Sequence, residues 1–404
     1  MKLIKVLFQF SFLIIFSTQI SAQDPLIGGI IDRVNLDSLV KHVRILSGED
    51  SLHLSDTTVL IKNRSYGNTG NILAADYLEN KLKKYGAETQ IVEFRENGQN
   101  VIGVKPGTLY PDEYYIICAH YDGVVDYGAD DNASGCAAIL ETARILEPYQ
   151  FDRTIVYAFW DEEEIGLYGS EDYASGASEN SINIKAVVNL DMIAWDEDND
   201  RLYDIYLKEI GNTNSLAAFI DETAKEFDLE LKPNFIVPEL ESSEHASFWK
   251  YGFTATLFGE TFYGDDFNPY WHKPEDRIGE FNLGYFHELS RLAAGVIAKL
   301  ATIGLNTATS VIENKLETNY ILNQNYPNPF NPSTTISYIL AETTQVSLKV
   351  YDVLGKEVAI LVDEEKVSGQ YEVNFTDTNL SSGIYYYTLK TDGNVLTRKM
   401  LLIK

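Results

Sequence analysis

Cysteine is nearly absent: Cys118 and Cys136 are the only two in 404 residues, which excludes a disulfide framework as the source of stability. The two can pair across a short loop, but a pair of buried free thiols is the better reading. Proline is scarce at eleven residues, and with 45% hydrophobic side chains the composition is that of a globular protein with a sizeable core. Basic side chains are the minority, 32 against 60 acidic ones, so the net charge of −28 argues against nucleic acid and anionic membrane surfaces as partners. Long apolar runs are missing too. The stretch from Val6 to Phe16 is too short for a membrane span. With Lys2 and Lys5 before it and Ile20-Ser21-Ala22 after it, residues 1–22 read as a signal peptide for export.

What remains suggests two or three domains. Residues 34–86 read as helical, because NLDSLVKHVRIL and GNILAADYLENKLKKYG place apolar residues three and four apart. From residue 90 the texture changes. TQIVEF, YYIICA, TIVYAFW, AVVNLDM, NFIVP and FTATLF read as strands, and ASGCAAILETARIL, LAAFIDETAKEF and the stretch from Tyr285 to Leu300 as helices. That alternation predicts an α/β domain over residues 23–302 with a mixed, mostly parallel sheet flanked by helices. Residues 303–319 have little periodicity and read as a linker. Beyond them, short alternating strands separated by Gly, Pro and Asn turns predict a small all-β sandwich over residues 320–404.

Acids and histidines recur where strands end, the place at which open α/β sheets collect ligands. YYIICA runs into His120 and Asp122, and TIVYAFW into Asp161-Glu162-Glu163-Glu164. AVVNL runs into Asp191, and FTATLFG into Glu260, with His272 a short loop later. Between the first two lies GADDNASG, Gly128 to Gly135. Carboxylates packed this densely repel one another unless a positive charge sits among them. Histidine nitrogen and carboxylate oxygen without thiolate suit zinc. Charge arithmetic favours two ions, since three carboxylates, two neutral imidazoles and one hydroxide sum to −4 against +4.

At these residues the chain resembles the co-catalytic di-zinc aminopeptidases, a family that also includes glutamate carboxypeptidases and glutaminyl cyclases. The resemblance spans about residues 35–302. It rests on His120-Tyr121-Asp122, Gly128 to Gly135, Glu163-Glu164-Ile165-Gly166-Leu167-Tyr168-Gly169-Ser170, Leu190-Asp191-Met192, and His272-Lys273-Pro274-Glu275-Asp276. It implies that His120 and Asp191 hold one zinc ion, Glu164 and His272 a second, and that Asp131 bridges them. It further implies that Glu163 is the general base, taking a proton from the attacking water and returning it to the leaving amine, and that Asp122 orients His120. A cis peptide after Asp131 belongs to the same pattern.

Other acidic and histidine residues read as accessory. Asp130 serves the turn, Asp161 and Glu162 are solvent-facing or orienting groups, and His245 of Ser243-Glu244-His245 packs rather than ligates. His42, His53 and His287 read as surface residues, and Asp196-Glu197-Asp198-Asn199-Asp200 as a solvated turn. Related aminopeptidases carry a tyrosine and a local disulfide where this chain has Val237-Pro238-Glu239-Leu240-Glu241, so the oxyanion donor stays unassigned.

The ending, from Tyr326-Pro327-Asn328-Pro329-Phe330-Asn331-Pro332-Ser333 through VYDVLGKEV and LSSGIYYYTL to Thr397-Arg398-Lys399-Met400, resembles the C-terminal sorting domain of the type IX (Por) secretion system. It implies recognition by that machinery and delivery to the cell surface or medium. Taken together, the expectation is a secreted zinc exopeptidase acting on peptides, foremost an aminopeptidase. A carboxypeptidase remains open, because Lys273 and Arg277 lie near His272. So do a glutaminyl cyclase on the same core and a non-catalytic surface protein.

Overall fold

The structure is a computed structural model; it describes residues 23–305 and 321–404, apart from 55–56, 239–241, 263–265, 341–342, 354–355, 377–379 and 392–394. The expected signal peptide, the linker from residue 306 on, and residues 239–241 of the Val237 to Glu241 segment lie outside the described residues.

Eight strands form the central sheet: β3 (Glu88–Arg95), β4 (Gly98–Lys105), β5 (Tyr110–His120), β6 (Arg153–Trp160), β7 (Ile184–Leu190), β8 (Leu202–Tyr206), β9 (Lys232–Ile236) and β10 (Ala255–Gly259). Their order is β3-β4-β6-β5-β7-β10-β8-β9. The centre of the sheet, β6-β5-β7-β10, is parallel, whereas β3-β4, β4-β6 and β10-β8 are antiparallel. A two-stranded pair, β1 (Leu52–His53) with β2 (Thr58–Val59), interrupts the region that reads as wholly helical in sequence.

Strand β5 shows why this sheet is buried on both faces. Successive side chains on a strand point to opposite sides. Tyr115, Ile117 and Ala119 pack into one hydrophobic cluster, and Ile116 and Cys118 into the other. The first cluster is covered by α1 (Pro25–Ile31), α2 (Leu36–Leu46), α3 (Thr69–Lys84), α4 (Gly135–Leu146), α6 (Thr213–Glu226) and α8 (Leu283–Ile303). The second lies under α5 (Tyr168–Glu179) and α7 (His245–Lys250). Cys118 and Cys136 fall into different clusters and are both free and buried. Asparagines start two of the long helices, with the Asn35 side chain accepting from Ser38 N and the Asn282 side chain from Tyr285 N.

The parallel register levels the strand ends. His120 of β5 sits opposite Trp160 of β6, Cys118 opposite Asn189 of β7, and Leu190 opposite Phe258 of β10. The residues following these strands therefore emerge at one edge of the sheet, close enough to share a ligand.

The C-terminal part is a two-sheet β structure. β11 (Ile321–Leu322), β12 (Ser333–Leu340) and β15 (Gly369–Thr376) form one sheet; β14 (Glu357–Lys366), β13 (Thr344–Asp352), β16 (Gly383–Lys390) and β17 (Val395–Leu402) form the other. Ile336 and Tyr338 from the first and Leu348, Val350, Tyr387 and Met400 from the second share one core.

Several local readings are corrected. His42 is buried, its Nδ1 2.6 Å from the Tyr77 hydroxyl. His287 is half-buried, with Nε2 2.9 Å from Val34 O. Asp196 is buried rather than solvated and accepts from Asn282 Nδ2, while Asp198 faces solvent. Among the described residues no helix is long and apolar enough to cross a membrane.

Candidate metal centre

The site begins where β5 ends. His120 is buried, and its Nε2 lies 3.2 Å from Asp131 Oδ1 and 3.3 Å from Asp191 Oδ1. Asp191 follows the last residue of β7. On the other side, His272 Nε2 lies 3.2 Å from Asp131 Oδ2 and 2.9 Å from Glu164 Oε2. The two oxygens of Asp131 therefore face two different imidazoles. His272 comes from the loop after β10, its ring stacked on Trp271 at 3.9 Å, and with 34% of its side chain exposed it marks the open side of the site.

A tight turn delivers Asp131. Gly128 has φ of 54°, and a Cβ there would stand 2.5 Å from Asp131 O, so only glycine fits without displacing the loop. The peptide from Asp131 to Asn132 is cis. Asn132 ties the turn to β7, donating from Nδ2 to Leu190 O and accepting at Oδ1 from Gly135 N.

The donor spacing suits zinc. Tetrahedral ligands at about 2.0–2.1 Å from an ion stand about 3.3 Å apart along each edge. The four contacts here fall between 2.9 and 3.3 Å. Oε1 of Glu164 is buried with no hydrogen-bond partner, a costly arrangement for a carboxylate that a cation would relieve. The proton affinities point the same way. Burial lowers the His272 pKa, but hydrogen bonds to Asp131 and Glu164 outweigh it and raise it to about 10. His120 is raised well above its ordinary value against the effect of burial, by Glu163, Asp191 and its aspartate neighbours. The carboxylates thus set up a strong preference for positive charge between the rings.

Glu163 stands beside this set, half-buried, with burial and the neighbouring Glu244, Asp191 and Glu164 raising its pKa well above the carboxylate range although His120 opposes them. Asp122 Oδ1 is 3.4 Å from His120 Nδ1. The same carboxylate also accepts from Glu163 N at 3.1 Å and Glu164 N at 3.3 Å, a tie that the sequence does not suggest.

The remaining strand-end acids are drawn elsewhere. Asp161 is buried and accepts from Asn71 Nδ2 and Gln99 N, and Glu162 is buried against Arg95, so neither is a solvent group. Glu260 accepts from Trp195 N. Asp130 accepts from Ile193 N and Ala194 N, and His245 packs between the rings of Tyr206 and Trp249. Sequence reasoning misses Arg64 altogether. This buried side chain donates to the carbonyls of Tyr121, Leu46, Tyr127 and Gly128 and so holds the loop that carries Asp131. A basic residue in the loop KNRSYGN carries no signal of that role.

Comparisons with known proteins bear on the family and the fold. The Peptidase family M28 profile matches residues 100–297, and the Secretion system C-terminal sorting domain profile matches residues 324–404. Aminopeptidase YwaD of Bacillus subtilis is 32% identical over 196 residues, 45% of this chain and 40% of that protein. The chain thus spans about 40% of the length of such curated relatives. The LapA aminopeptidase of Legionella pneumophila has a similar fold, with a TM-score of 0.59 at 23% identity over 69% of this chain and 75% of that one. So does a glutaminyl cyclase of Bacteroides thetaiotaomicron, at 0.54 and 17% identity over 66% of this chain and 98% of that one. The sorting domain marks the chain for type IX export to the cell surface or medium. Residues 100–297 are thus similar to peptidase family M28, and residues 324–404 to a secretion-system C-terminal sorting domain.

Proposed function

We propose that this chain is an exported zinc aminopeptidase that hydrolyses the first peptide bond of peptides, with residues 23–302 carrying catalysis and residues 320–404 serving export alone. The observation that supports it best is the bridging pose of Asp131, each oxygen turned to a different histidine. His120 and Asp191 would hold one zinc ion, His272 and Glu164 the other, and Asp131 both. Zinc bound there supplies a Lewis acid for the scissile carbonyl and acidifies water near neutral pH.

The chain's own residues account for the proton traffic. Hydrolysis adds water oxygen to the carbonyl carbon and breaks the C–N bond, so one proton must travel from water to the leaving nitrogen. Glu163, whose carboxylate lies within 4.8 Å of the ligand atoms of His120 and Glu164, would carry it, and burial raises its proton affinity. Asp122 holds the main chain of Glu163 and Glu164 while facing His120, so base and ligands share one anchor. The surrounding carboxylates suit a substrate's free ammonium group. Lys273 and Arg277, the candidates for gripping a substrate carboxylate, are turned to their own loop: Lys273 Nζ donates to Pro269 O, and Arg277 donates to Pro274 O and lies over the Tyr127 ring. That favours an aminopeptidase over a carboxypeptidase.

The test is hydrolysis of a panel of aminoacyl-amide reporters by the full chain and by Glu163→Gln, with zinc measured on both. Loss of a general base removes on the order of 10²- to 10⁴-fold in rate, and zinc should stay bound. Unchanged turnover in the variant overturns the role of Glu163. Cyclisation of N-terminal glutamine without hydrolysis would make the protein a cyclase.

A further inference from the structure

Three carboxylates near the site share an unusual habit, since each accepts from two consecutive main-chain N–H groups. Asp122 takes those of Glu163 and Glu164, and Asp130 those of Ile193 and Ala194. Asp276 takes the third pair. Its Oδ1 is 2.8 Å from Asp130 N and its Oδ2 3.0 Å from Asp131 N, and its own carbonyl accepts from Ala129 N at 3.2 Å. Asp276 is 3% exposed, so water cannot substitute for these bonds.

The position of Asp276 gives the contact its meaning. It closes a short turn from His272, with Asp276 N donating to Lys273 O at 3.0 Å. The imidazole and the carboxylate are thus two ends of one small rigid unit, one end against Asp131 Oδ2 and the other against Asp131 N. The two sides of the metal set are built differently. His120 and Asp191 sit at the ends of adjacent strands whose register places them. His272 hangs on a loop after β10, which Asn268 ties to the Asp130 carboxylate at 2.9 Å and Asp276 ties to the main chain of the bridging residue.

We propose that Asp276 is a positioning residue that sets the spacing between Asp131 and His272, and through it the affinity of the Glu164/His272 side for its ion, with a smaller effect on the His120/Asp191 side. The inference rests on the reading of Asp131 as a bridge between two ions. Asparagine at 276 keeps the size but offers one acceptor oxygen, and its NH₂ group faces the other N–H. Groups that orient metal ligands typically change metal affinity 10- to 100-fold when altered.

The test titrates zinc into the full-length metal-stripped chain, with a chromophoric chelator as competitor, for wild type, Asp276→Asn, Asp276→Glu and Asp276→Ser. His272→Ala serves as the reference for loss of the loop-side ion, and cobalt absorption spectra identify which side has emptied. Asp276→Asn and Asp276→Ser are expected to weaken the loop-side ion 10- to 100-fold, matching the His272→Ala fingerprint, with the other ion weakened less. Asp276→Glu keeps both acceptors and should weaken the same ion less. A merely structural role predicts that both ions weaken by the same factor as the fold loosens. That result, loss of the His120-side ion, or unchanged binding in every folded variant overturns the proposal. Wild-type protein that binds fewer than two zinc ions overturns the two-ion reading as well, so the two failures are distinguishable.

Discussion

Replacing Arg64 tests whether the site is held by hydrogen bonds to main-chain carbonyls far from it in sequence. In Arg64→Met the chain keeps an unbranched apolar stem but loses every donor. Four bonds of 2.7–2.8 Å disappear, to Tyr121 O, Leu46 O, Tyr127 O and Gly128 O. Each buried carbonyl left without a partner costs about 1–3 kcal/mol, so even if water reaches some of them the loss should be about 4 kcal/mol. Domains hold only about 5–15 kcal/mol in total, and about 1 kcal/mol moves the melting temperature of a domain this size by roughly 2–4 °C. A drop of about 8 °C or more is therefore expected. Lysine carries its donors on one nitrogen without the planar fork, so Arg64→Lys should fall between the two. The assay is thermal unfolding followed by tryptophan fluorescence, which reports on the α/β domain alone because all four tryptophans precede residue 302. A melting point within about 2 °C of wild type for Arg64→Met would refute the reasoning.

Two further predictions concern groups outside the metal set. Burial, with help from Lys81 and Lys41, lowers the His42 pKa from 6.5 to about 3, so below pH 6.5 the unfolded chain takes up a proton that the folded one refuses, and stability falls as pH drops toward 3. Between pH 7 and 5, urea unfolding should show wild type losing about 2 kcal/mol more than His42→Gln; equal losses would count against a neutral buried His42. Asp161 and Asp204, both raised to about 7 mainly by burial, act in the opposite sense, their contribution fading as pH rises from 3.8 through 7, which is why the comparison between the two proteins is needed. Arg95→Met strands the buried Glu162 carboxylate and should cost about 2–3 kcal/mol, most of it recovered in Arg95→Met/Glu162→Gln. A double variant as unstable as the single one would show that the pair is not coupled.

How much of this was legible in the sequence follows from what local pattern can encode. The parallel core strands announce themselves as continuous apolar runs because they are buried on both faces, and the acids after them mark the sheet edge where the site forms. β4 and β8 carry no clear strand signal, since GQNVIGVK and LYDIY are mixed in polarity and GQNVIGVK holds two glycines. The N-terminal region hid its β1–β2 pair for a related reason, two residues per strand being too few to show a period. His42 carries no sign of burial, because its place on the inner face of α2 depends on meeting Tyr77 of α3. The candidate ligands were visible as motifs. Arg64 was not, because it acts through carbonyls 57 or more residues away in four of its five contacts. Asp276 likewise acts through main-chain amides 146 and 145 residues distant. Peptide groups have no sequence identity to read, so the pattern does not say what a residue that binds only peptide groups holds in place, even where, as with Asp276, it falls inside a motif.

The central claim is that Asp131 bridges two zinc ions. Anomalous scattering from crystals of the zinc-loaded full chain, recorded on both sides of the zinc absorption edge, tests it most directly. Two peaks are predicted, one between His120, Asp191 and Asp131, the other between His272, Glu164 and Asp131. A single peak, or two that do not share Asp131, would contradict the account.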